Sequence, residues 1–243
     1  MPTATESIRE ILTNQPSAAG IFHRFDIDLC AQADQSLERA CQELQLSVDQ
    51  VLEKLTDAEA QERGASTTDP ASLSLARLVQ HIVRVHHQRV RQDLPRLAEL
   101  AQKLAAKRSD RAPELPRVAE LVEELRAEMV AHIQKEEQVL FPFIADMDQK
   151  SIVAYPPAHT CFRSVAHPIL MMEQEHESAD HIVAELVRLT NHFEPPSWAC
   201  PTHIALFSGL RDVESDLRQH VHLENDILFP RAIQREAELN ARS

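Results

Sequence analysis

Four long stretches of the chain place apolar residues every three or four positions. The first runs through Ala76, Val79, Val83, His87, Val90, Leu94 and Leu97, and the second through Val118, Leu121, Leu125, Glu128, His132, Glu136 and Val139. The third holds Ile169, Met172, His176, Ala179, Val183 and Leu186, and the fourth Leu206, Leu210, Val213, Leu217, His220, Glu224 and Ile227. That step is the period of one helix face. In each stripe a His stands among the apolar residues rather than on the polar face. Proline-containing breaks separate the stretches at Ala112 to Pro116, at Tyr155-Pro156-Pro157 and at Glu194-Pro195-Pro196. Pro95 falls inside the first and is expected to bend or divide it. Four such helices on short to medium loops predict an all-α chain built on an antiparallel four-helix bundle.

The pattern before the bundle is shorter. A helix opening at Pro16 and ending near Cys30, a second from about Ser36 to Leu44, and a capped start at Ser47 predict a small N-terminal helical domain over residues 1–60. Polar residues with Gly and Pro mark a linker at 61–71, and the bundle occupies 72–240.

The bundle contains an internal repeat. His132-Ile-Gln-Lys-Glu136 and His220-Val-His-Leu-Glu224 each run on to Leu-Phe-Pro, at a constant offset of 88 residues (132 to 220). A His and a Glu four residues apart share one helix face and can ligate one metal centre. The stripe histidines of the partner helices, His87 and His176, stand at nearly the same offset, so a duplication with a pseudo-two-fold axis gathers His87, His132, Glu136, His176, His220 and Glu224 at the bundle centre. Burying them without partners is costly, and a metal removes the cost. Two halves suggest two metals, each with two His, bridged by both Glu. Such N/O donors suit iron or manganese, with zinc as a further candidate. Glu128 and Asp216, one turn before His132 and His220, and Glu175, beside His176, are candidate outer carboxylates. Glu137, five residues after His132, turns off this face. His81, His86, His181, His192, His203 and His222 are expected at solvent or at helix ends.

Composition narrows the classes. With only 3 Gly and a text rich in Ala, Leu, Glu, Arg and Gln, the chain lacks the turn chemistry sheets need. A formal charge of −13 argues against nucleic acid or an anionic membrane as partner. The sequence carries no apolar leader and no run of about 18–20 apolar residues, so no membrane span is expected. Four scattered Cys, at 30, 41, 161 and 200, read as reduced cytosolic thiols.

The whole chain resembles the di-iron iron–sulfur cluster repair proteins (the repair of iron centres, or RIC, family), a branch of hemerythrin-like bundles. The resemblance rests on Pro16-Ser-Ala-Ala and Asp26-Ile-Asp-Leu-Cys30, on His81-Ile-Val, His87-Gln-Arg and Leu94-Pro95, and on Lys135-Glu-Glu-Gln-Val-Leu-Phe-Pro142. In the second half it rests on Met172-Glu-Gln-Glu-His176-Glu and on Leu223-Glu224-Asn225 with Leu-Phe-Pro230. It implies two iron ions in an oxo- or hydroxo-bridged centre on the same six residues, with Glu128 and Glu175 along a route to the metal. It implies a cytoplasmic protein that repairs iron–sulfur clusters damaged by nitrosative or oxidative stress, as an iron donor, with damaged iron–sulfur proteins as clients and, by analogy, a homodimer. The alternatives are a di-iron enzyme reducing nitric oxide or peroxide, and a hemerythrin-like sensor of O2 or NO. The family's Cys-Cys pair followed by Gly-Gly is replaced here by Cys30-Ala31-Gln32-Ala33, and its His in the loop after the first bundle helix has no counterpart in Lys107 to Asp110.

Overall fold

A computed structural model describes residues 2–15, 18–27, 29, 32–63, 70–149 and 164–241. The expected helix start at Pro16, Cys30, the Tyr155 to Pro157 break and most of the linker lie outside the described residues. The described chain is all-α, and it divides into two compact units.

One unit comprises residues 1–67, 95–122 and 186–212. Its first helices are α1 (Ile8–Asn14), α2 (Ala18–Arg24), α3 (Leu37–Glu43) and α4 (Val48–Arg63). A capping box starts α1: the Ser7 side chain accepts from the Glu10 backbone N–H, and the Glu10 carboxylate accepts from the Ser7 N–H at 2.9 Å. At α3 the Ser36 side chain alone caps the start, accepting from the Arg39 backbone N–H. Asp26, at φ 56°, follows the end of α2. Ile8, Ile11, Phe22, Leu37, Ala40, Val51 and Leu55 are buried. This unit also holds parts of the long helices α6 (Gln88–Arg108), α7 (Leu115–Lys135), α9 (Ala166–Leu189) and α10 (Pro201–His222). There α6 and α10 approach so closely that a Cβ on Gly209 would lie 2.5 Å from Leu97 Cδ2. Pro95 lies inside α6, which continues through it undivided.

The other unit comprises residues 68–94, 123–185 and 213–243. It holds α5 (Leu75–Ile82), α8 (Phe141–Gln149), α11 (Phe229–Asn240) and the remaining parts of the long helices. Its core packs Leu78, Ile82, Leu140, Phe141, Ile144, Ile169, Leu228 and Phe229. The duplication reaches the helix ends. Asp148 on α8 accepts from the Ala76 N–H at the start of α5 (2.8 Å), and Glu236 on α11 accepts from the Val165 N–H before α9 (2.9 Å). Both acids answer the unsatisfied N–H groups of a helix start.

Among its described residues three π-helical turns interrupt this unit: Val83–His87, Glu136–Leu140 and Leu223–Leu228. Two of them are explained by the repeated Leu-Phe-Pro. Pro142 and Pro230 have no N–H, and in a regular α-helix their rings would clash with the carbonyl four residues back. A turn with one extra residue relieves the clash, and the Phe141 and Phe229 N–H groups bond instead to Glu136 O and Glu224 O. The extra residue shifts the inward register. Val139 and Ile227, placed in the stripe by a regular period, are 41 % exposed and half-buried respectively, while Leu140 and Leu228 are buried.

Candidate metal centre

The structure brings His87, His132, Glu136, His176, His220 and Glu224 together, each at most 2 % exposed. They form two groups of four that share both carboxylates: His87, His220, Glu136 and Glu224 in one, and His132, His176, Glu136 and Glu224 in the other. Each group takes one His from each half of the repeat. In the first, the Nε2 atoms of His87 and His220 are 3.2 Å apart; His87 Nε2 lies 3.3 Å from Glu136 Oε2, and His220 Nε2 lies 2.9 Å from Glu224 Oε1. In the second, the Nε2 atoms of His132 and His176 are 3.0 Å apart; His132 Nε2 lies 3.4 Å from Glu136 Oε2, and His176 Nε2 lies 3.1 Å from Glu224 Oε2.

These separations match the edges of a coordination polyhedron. Donors about 2.1 Å from a metal, at about 90–110° to one another, lie about 3.0–3.4 Å apart. The electrostatics agree. Neither oxygen of Glu136 has a hydrogen-bond partner, although both are buried. Burial, together with the charge of Glu224, holds the Glu136 carboxyl well above the usual carboxylate range. Burial works the same way on Glu224, but His220, His176 and His87 outweigh it and hold that carboxylate well below the usual range. Burial and the neighbouring His176 push His132 down to about 4. The residues present therefore fit a pair of cations, which would neutralise both carboxylates and occupy the facing imidazole nitrogens.

The outer ring nitrogens are anchored unevenly. His87 Nδ1–H donates to Glu137 Oε1 (2.7 Å), a carboxylate also held by Arg91. His132 Nδ1–H donates to Glu175 Oε2 (3.0 Å), itself paired with Lys135. His176 Nδ1–H donates to Asn225 Oδ1 (3.0 Å). His220 Nδ1 is buried with no partner. Phe141 stacks on His87 and Phe229 on His176, with ring centroids 5.4 and 6.3 Å apart, so the second residue of Leu-Phe-Pro walls the site.

Of the outer acids chosen from spacing, Glu175 touches a cluster imidazole, Asp216 bonds His86 and Arg89, and Glu128 lies half-buried one turn before His132. Glu137 and Asn225 were not singled out as outer anchors. The repeat carried the signal, since the offset of 88 takes Glu137 to Asn225. One expectation is corrected. His86 is 3 % exposed rather than at solvent, because Asp216 on α10 supplies an acceptor at 3.0 Å and the π-helical turn at Val83–His87 carries His86 and His87 inward together. His203 stands at a helix end as expected, in the first turn of α10, and is buried there (1 % exposed) between Trp198 and Phe207.

Residues 78–232 match the hemerythrin HHE cation-binding domain, and residues 4–59 match ScdA_N, a domain of unknown function. The chain belongs to the hemerythrin-like iron–sulfur cluster repair family. It is 34 % identical over 233 residues to a Haemophilus influenzae protein named "Probable iron-sulfur cluster repair protein", covering 96 % of this chain and 99 % of the relative. It is 32 % identical over 228 residues to the iron–sulfur cluster repair protein YtfE of Escherichia coli O81, covering 94 % and 96 %. It is also 32 % identical over 231 residues to the YtfE of Pectobacterium atrosepticum, covering 95 % and 98 %. Among the described residues no helix is long and apolar enough to cross a membrane.

Proposed function

We propose that this hemerythrin-like repair protein holds two iron ions, one between His87 and His220 and one between His132 and His176, with Glu136 and Glu224 shared. It then serves the repair of iron–sulfur clusters damaged by nitrosative or oxidative stress, in the cytoplasm with its client proteins. The observation that carries this reading is the pair of four-residue groups sharing both carboxylates. The names of the relatives supply the process.

The residues divide the work. Four imidazoles are neutral donors, and two carboxylates carry the charge that two divalent ions require. Two His and two shared Glu would leave positions open to further donors on an ion such as ferrous iron. Iron bound in this way supplies replacement metal for a broken cluster and a centre open to small molecules such as NO or O2. Glu137, Glu175 and Asn225 hold three of the rings in the orientation that presents Nε2. Phe141 and Phe229 keep water from two of them.

Anaerobically loaded protein is expected to hold about two iron per chain, and His132→Ala to lose metal while keeping its helical content. Wild type but not His132→Ala is expected to restore activity to an NO-damaged iron–sulfur enzyme. Full metal loading with no reactivation would overturn the repair reading, and nitrous oxide formed under turnover would favour the enzyme reading instead.

A further inference from the structure

The repeat that builds the centre also exposes a difference between its two halves. Each half contributes two outer positions beside its ligands. At the first, Glu137 and Asn225 correspond at the offset of 88, and each accepts the Nδ1–H of the stripe His on a neighbouring helix: His87 for Glu137, His176 for Asn225. At the second, His86 and Glu175 correspond at an offset of 89, each standing just before the stripe His. Glu175 reaches across to His132 Nδ1. His86 reaches across to the corresponding ligand, His220, but meets it face to face. Their ring centroids are 5.5 Å apart and the rings 3° from parallel.

A stacked imidazole offers no acceptor to the edge of the ring it covers. The Nδ1 of His86 is in any case engaged by Asp216 (3.0 Å), whose carboxylate is also tied to Arg89 (3.3 Å). His220 Nδ1 is therefore left buried and unpartnered while the other three ligand rings are anchored. With Nε2 facing the metal, Nδ1 must carry the proton, and a buried N–H without an acceptor is destabilising. The hydrogen bond at Nδ1 normally fixes ring orientation and raises donor strength, and its loss typically costs 10–100-fold in metal affinity.

We propose that the metal position between His87 and His220 empties first, and that His86 is the positioning residue responsible, because it stacks on His220 where the other half supplies an acceptor. This rests on the two-iron reading. A centre that gives up one ion while keeping the other remains folded around Glu136 and Glu224, and so suits an iron donor that must be refilled.

The test begins with protein loaded anaerobically and shown to hold two iron per chain; failure at this step counts against the two-iron reading, not against the asymmetry. A ferrous chelator such as ferrozine should then remove iron in two phases of equal amplitude, with rates differing by about tenfold or more. His86→Gln places an amide oxygen where the other half has Glu175 and is expected to slow the fast phase by about 10–100-fold. Glu175→Ala is expected to quicken the slow phase and bring the two together. Crystals of half-stripped wild type, measured at the iron absorption edge, should show anomalous density between His132 and His176 only. That measurement stands even if the variants load poorly. Release of both ions in one phase from wild type, or density remaining between His87 and His220, overturns the proposal.

Discussion

His203 is the buried group with the plainest energetic consequence. It packs edge-on against Phe207, with ring centroids 4.4 Å apart, and neither ring nitrogen has a hydrogen-bond partner. Burial holds its pKa below the ordinary 6.5, with the nearby charges of Cys200 and Glu114 opposing more weakly. The unfolded chain therefore binds this proton more readily than the folded one. Stability from His203 is fully present above pH 6.5 and is lost as pH falls from there toward the depressed folded value. His203→Phe fills the same apolar space without a titrating group. Its melting temperature should decline less than that of wild type between pH 7 and 5.5, and parallel curves would refute the assignment. A second residue-scale expectation concerns His192, which sits at φ 60° between Asn191 and Phe193, both also at positive φ. His192→Gly removes a left-handed strain of about 1–2 kcal/mol at an entropic cost of about 0.5–1 kcal/mol, so a small rise in melting temperature is expected.

Among the elements, the π-helical turns decide how the proposed ligands are presented. Pro142 denies the helix an N–H and forces the wide turn that begins at Glu136. Pro142→Ala restores the donor and permits a regular turn, which would rotate the residues after Glu136. The expected result is unchanged helical circular dichroism with iron affinity lowered about tenfold or more; undiminished affinity would show that the turn does not depend on the proline. The same turns mark where the sequence stopped being readable. Regular periodicity brought out His87, His132, Glu136, His176, His220 and Glu224, because positions three or four apart share a face and the repeat supplied an independent check. It placed Val139 inward because it had no means of counting the extra residue that exposes it, while Ile227, also placed inward, is half-buried against the core. It sent His86 to solvent because its partner, Asp216, lies on a helix 130 residues away. Long-range pairing of this kind leaves no trace in local spacing. Pro95, read as a bend or break, proved tolerable inside α6.

At the scale of the whole molecule, the centre couples metal, protons and stability. Without metal, burial and the charge of Glu224 raise the Glu136 carboxyl, so the metal-free fold keeps this contribution below about pH 4.5 and loses it as pH rises through the raised folded value. On the proposed two-iron reading the metal requires the carboxylate, so loading must expel that proton. Below the raised value, each pH unit is worth up to tenfold in affinity for this one proton, or about 1.4 kcal/mol. For a chain of this size 1 kcal/mol corresponds to about 2–4 °C. At fixed free ferrous iron, the gap in melting temperature between loaded and metal-free protein should widen as pH rises from about 5 toward the raised Glu136 value. The depressed His203 contributes equally to both forms and cancels from the difference. Glu136→Gln cannot ionise, so its gap should be small and flat with pH. A gap in the wild type that stays constant over this range would mean that metal enters without displacing the Glu136 proton, and the buried carboxylate pair would then need another explanation for its retention at the centre of the bundle.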